Sequence, residues 1–98
     1  MNVAEFKSSL EGAAPAPRWD APLAALWWAA SDQWDRAHRI VQDEPTEDAA
    51  WVHAYLHRVE GDLGNAAYWY RRAARPVASG TLEKEWEAIV SALLGREA

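Results

Sequence analysis

The chain contains no cysteine. Disulfides and thiolate metal sites are therefore excluded, and any metal would have to rest on histidine and carboxylate. Basic charge is in short supply: ten Lys and Arg stand against fifteen Asp and Glu, for a net charge of −5. An acidic chain lacks the positive face that nonspecific binding to nucleic acid or an anionic membrane requires, so neither partner is expected. No apolar run approaches the roughly 18 residues of a membrane span. The opening MNVAEFKSSLEG has neither the basic start nor the apolar stretch of a secretion signal, which makes the cytoplasm the expected location. No stretch sustains the two-residue alternation of a strand. Both phosphate-loop patterns, GxGxxG and GxxxxGK(S/T), are missing. No nucleophile–base pair is visible: Ser8, Ser9, Ser31, Ser79 and Ser91 each fit a helix cap, a linker or a helix surface. No catalytic residue and no cofactor are expected.

What the chain does have is hydrophobic mass. Half of its 98 residues are hydrophobic and seven are tryptophan. That length fits one domain, 1–98, with a modest core. Each large aromatic can bury on the order of 150–250 Å², so the indoles can supply much of that core. Trp27, Trp34, Trp69 and Trp86 lie on core stripes. Trp19, Trp28 and Trp51 are less constrained and would mark a contact surface if exposed.

The periodicity predicts an all-α domain of two antiparallel helical hairpins, with a short N-terminal helix and a C-terminal capping helix. Residues 2–11 form the first helix, capped by Asn2, with Val3, Phe6 and Leu10 on one face. The Pro/Ala connector 13–18 is expected to be extended, with the first helix docked as an arm. Residues 21–44 form the first hairpin. Asp20 caps its first helix, and Ser31 or Asp32 caps its second, where Trp34, Ala37, His38 and Val41 share a face. Residues 47–76 form the second hairpin. Thr46 caps a helix to about Glu60, Gly61 stops it, and Asp62 caps a helix to about Arg75, which Pro76 closes. Residues 81–95 form the last helix, capped by Ser79 or Thr81, with Leu82, Trp86, Ile89, Val90 and Leu93 on its apolar stripe.

The two hairpins echo each other: Ala25 and Ala37 correspond to Ala54 and Ala66 at a common offset of 29 residues. Small residues at fixed places let paired helices approach closely, the mark of a helical repeat. Ala54, the Gly61-Asp62 turn, then Ala66, Tyr70 and Ala73 resemble the tetratricopeptide and Sel1-like repeats, well over residues 47–76 and loosely over 21–44. The usual offset of that family is about 34, and its closing proline stands here at Pro76. The resemblance implies a hairpin architecture. The string HxxLHRxEGDxxNAxYWYRRA, residues 53–73, also resembles a motif of other small proteins, with no activity attached to it.

On a helical wheel, His53, His57 and Glu60 fall within about 60° of one another. Val52, Leu56, Val59 and Leu63 form the adjacent core stripe, and Trp51, Tyr55 and Arg58 lie opposite, so this helix should be central. Histidines at i and i+4 can reach one metal ion, with Glu60 as a third ligand and His38 as a further one. The alternatives are a polar groove for a ligand or partner, and a helix–helix contact in which the imidazoles simply hydrogen-bond to neighbours. On the next helix Tyr68, Arg71, Arg72 and Arg75 share a face suited either to anion recognition or to salt bridges with Glu60, Asp62 or the acidic first hairpin. The composite expectation is a non-enzymatic module that binds a protein or peptide through His53, His57, Glu60, Tyr68, Arg71 and Arg75, with self-association as a variant. The alternative is a small-molecule or metal site, hydrolytic in one version, on His53, His57, Glu60 and His38.

Overall fold

A computed structural model describes residues 1–96; the last two positions of the expected domain, 97 and 98, lie outside the described residues. The described residues form six α-helices and one short 3-10 turn, with no strand: α1 (Val3–Ser8), the turn Ser9–Glu11, α2 (Ala21–Ala30), α3 (Trp34–Val41), α4 (Glu47–Val59), α5 (Leu63–Arg72) and α6 (Leu82–Leu94). None of these helices is long and apolar enough to cross a membrane.

Side-chain caps start five of the helices where expected. Asn2 accepts from the Glu5 amide at 2.9 Å while Glu5 reaches back to the Asn2 amide at 3.0 Å, a reciprocal box at the start of α1. Asp20, Thr46, Asp62 and Thr81 accept in the same way from residues three positions on. The expected cap at Ser31 or Asp32 fails. Asp32 takes a left-handed φ of 61° that ends α2, and α3 begins after Gln33 with no side-chain cap. Helix α5 likewise stops three residues early. Ala74, not Pro76, ends it: at φ 58° it turns the chain so that the Arg75 amide donates back to the Tyr70 carbonyl at 3.0 Å. Gly61, at φ 86°, closes α4 by the same geometry.

The consecutive pairs α2/α3 and α4/α5 pack closely, and α4 also touches α2, α3 and α6. Its central position matches the sequence expectation, since every residue from Ala49 to His57 is buried. The wheel errs at the end of that helix. Val59 is 40% and Leu63 65% exposed, because the chain turns at Gly61 before their stripe meets another element. Leu82 is also exposed, at the first turn of α6.

The N-terminal arm docks. Phe6 is wholly buried, with its ring centroid 4.8 Å from Trp19 and 5.7 Å from Trp86. The connector is not fully extended: the Trp19 amide donates to the Ala16 carbonyl at 3.1 Å, and this turn tucks Trp19 into the core. The tryptophans thus divide differently from the stripe assignment. Trp19 and Trp51 are buried with Trp27 and Trp86, while Trp34 and Trp69 are half-buried. Their indole N–H groups find acceptors: Trp86 on the Leu26 carbonyl (2.9 Å), Trp34 on the Leu56 carbonyl (2.7 Å) and Trp27 on the Ser9 hydroxyl (3.1 Å).

Candidate functional site

Two neighbouring helices aim three imidazoles at one point. His38 comes from α3; His53 and His57 come from α4, where the i, i+4 spacing stacks them one turn apart with centroids 4.8 Å apart. The His38 and His53 Nε2 atoms face each other at 3.0 Å. His57 Nδ1 donates to Glu60 Oε1 at 2.6 Å, because a carboxylate can only accept. In neutral His57 that bond leaves Nε2 as the ring's lone pair. Indoles bracket the group on both sides. Trp34 lies flat on His38, with centroids 4.8 Å apart and planes at 9°. Trp69, from α5, lies on His53 at 3.9 Å and 18°. His38 then meets both other rings at steep angles, 82° to His53 and 71° to His57.

His53 and His57 are only 4% and 6% exposed, so the expected open groove over them is not what the structure contains. Trp34 and Trp69, which the stripes assigned to the core, cover that space instead. His38 is half-buried and forms the solvent side of the cluster. Burial lowers the pKa of His53 to about 4, helped by its proximity to His38 and His57. Burial also lowers that of His38, assisted by His57 and opposed by Glu60. His53 Nδ1 is buried with no hydrogen-bond partner. The ring nitrogens of His38, His53 and His57 lie within 4.8 Å of one another, and a second, more exposed set joins His57, Glu60 and Asp62. An imidazole in its neutral form is a Lewis base that can hold a cation.

No protein family, curated protein or solved structure matches the chain. The side chains themselves must therefore carry the functional argument.

The second group of expected site residues does not assemble as one face. Tyr68 is exposed on α5, with the Arg71 guanidinium 6.0 Å from its ring and Arg72 donating to its hydroxyl at 3.2 Å. Arg72 also lies 5.2 Å from the Trp69 ring, at the margin of the imidazole cluster. Arg75 is elsewhere. Ala74 swings it away from α5, and its guanidinium sits 3.7 Å over the Trp51 ring. The salt bridges expected for Arg71, Arg72 and Arg75 with Glu60, Asp62 or the first hairpin do not form: among the described residues, the Lys and Arg ion pairs are Lys7–Glu87, Arg58–Glu85 and Arg96–Asp48. Aromatic rings, rather than carboxylates, receive these guanidinium groups.

Trp51 and Arg75 open onto a groove of about 400 Å³ walled by Pro76, Val77, Ala78, Ala88 and Lys84. Glu85 also lines it, but its carboxylate is occupied. It pairs with Arg58 Nη1 at 2.9 Å and accepts the Tyr70 hydroxyl in a buried contact. Sequence reasoning did not single out Glu85. The clue was a carboxylate lying one turn from both Leu82 and Ile89, inside the apolar stripe of α6.

Proposed function

We propose that this chain is a non-enzymatic interaction module, a pair of tetratricopeptide-like helical hairpins that receives an acidic segment of a partner protein in the Trp51–Arg75 groove. The observation that carries this reading is Arg75, stacked on an indole and without a carboxylate partner among the described residues. Lys84 adds a second cation to the same groove. In a chain of net charge −5, a groove whose one carboxylate is already neutralised by Arg58 is a local positive exception. Its remaining walls are Ser79 and the apolar Pro76, Val77, Ala78 and Ala88. The combination suits an extended strand that alternates aliphatic side chains with Asp or Glu. The closely packed helix pairs, with Ala25, Ala37, Ala54 and Ala66 all buried, support the hairpin reading.

Fluorescence anisotropy with a labelled Leu/Glu-alternating peptide, and with its Leu/Lys counterpart, tests this. The acidic peptide should bind, weaken as salt rises, and lose most of its affinity in Arg75→Ala and Lys84→Ala. Equal binding of the two peptides, or wild-type affinity in Arg75→Ala, would sink the proposal. Light scattering over a concentration series distinguishes a second copy of the chain as the occupant.

A further inference from the structure

We propose that His38, His53 and His57 form a binding site for a divalent transition-metal ion of the zinc class, separate from the Trp51–Arg75 groove. An ion held tetrahedrally by imidazoles at roughly 2.0–2.1 Å needs its nitrogens about 3.4 Å apart. The His38 and His53 Nε2 atoms are 3.0 Å apart, and all three rings offer nitrogens within 4.8 Å of one another. Small side-chain rotations therefore reach the binding geometry.

One further observation points to a ligand. The Glu60 carboxylate holds His57 by Nδ1, which orients the other nitrogen as the donor; a carboxylate behind a ligating histidine is the usual support of such a ligand. A site of three imidazole nitrogens favours zinc, cobalt, nickel or copper over magnesium or calcium, which prefer oxygen. Half-buried His38 leaves the fourth position on the solvent side, where water can complete the coordination.

The test uses the full chain, untagged and stripped with chelator. Zinc titrated by calorimetry should bind one ion per chain and raise the melting temperature, and chelator should reverse the shift. Cobalt should give the visible absorption of a four-coordinate ion, and magnesium should do nothing. His38→Gln, at a half-exposed position, should keep the fold and lower zinc affinity about tenfold or more. Glu60→Gln, which keeps all three ligands, should weaken binding by about tenfold. A wild-type chain whose melting temperature ignores zinc overturns the proposal. So does a zinc response of equal size in wild type, His38→Gln and Glu60→Gln, which would place the ion on the surface.

Discussion

Helix α4 has two polar sides, and they solve burial in opposite ways. On one, Arg58 reaches Glu85 of α6, and that carboxylate also takes the Tyr70 hydroxyl of α5. Opposite charges and donors match, so the Glu85 carboxylate is fully occupied. On the other, His53 and His57 meet His38 with the Glu60 and Asp62 carboxylates at the margin and with one ring nitrogen unpaired. Charge is there suppressed rather than balanced. A matched ion pair locks three helices together and leaves Glu85 itself nothing to offer a visitor in the neighbouring groove. A set of neutral bases holds its place by stacking against Trp34 and Trp69 and keeps lone pairs available.

The comparison can be broken most severely at Glu85. Removing it in Glu85→Ala strands a buried guanidinium and the Tyr70 hydroxyl, and should cost about 3–5 kcal/mol in urea denaturation. The imidazole side should respond to acid instead. His53 has a folded pKa of about 4, below the unfolded value near 6.5, so the unfolded chain binds a proton that the folded one refuses. Stability should therefore be full above pH 6.5 and fall as pH drops toward 4, by up to roughly 3 kcal/mol. His38 should add to the same slope, its pKa being lowered as well. Denaturation midpoints between pH 4 and 8 measure it, and His53→Leu should reduce it to the part that His38 contributes. A slope undiminished by this substitution would remove His53 as a source. A smaller effect is expected from Trp34→Phe, which loses the bond to the Leu56 carbonyl and should cost about 1 kcal/mol by thermal melting. Least of all, Arg75→Ala should change stability by under about 0.5 kcal/mol, the range of surface substitutions, while reducing binding of the acidic peptide.

Much of this fold was legible locally. Asn2, Asp20, Thr46, Asp62 and Thr81 announce their helices because a cap needs only its own next three residues. The turn at Ala74 was not legible, since nothing local favours a left-handed alanine; its placement depends on what α5 and the following segment pack against. Burial was legible for α4 as a whole but not for Val59, Leu63, Trp19 or Trp51, because a wheel shows which residues share a face and not where the neighbouring helix ends. In the site, spacing grouped His53, His57 and Glu60 correctly, and His38 joined them from another helix. The wheel also grouped Arg75 with Tyr68 and Arg71, which holds only while the helix continues. It stops at Arg72.

The docked arm has a consequence for the order of events during synthesis. Phe6 belongs between Trp19 and Trp86, and Lys7 meets Glu87, a partner eighty positions further along. At elongation rates of about 5–20 residues per second, the far wall of that slot is made roughly 4–16 s after the side chain meant to fill it. The arm is thus among the last elements to be seated. Until then a benzyl ring waits in water, open to whatever handles the nascent chain.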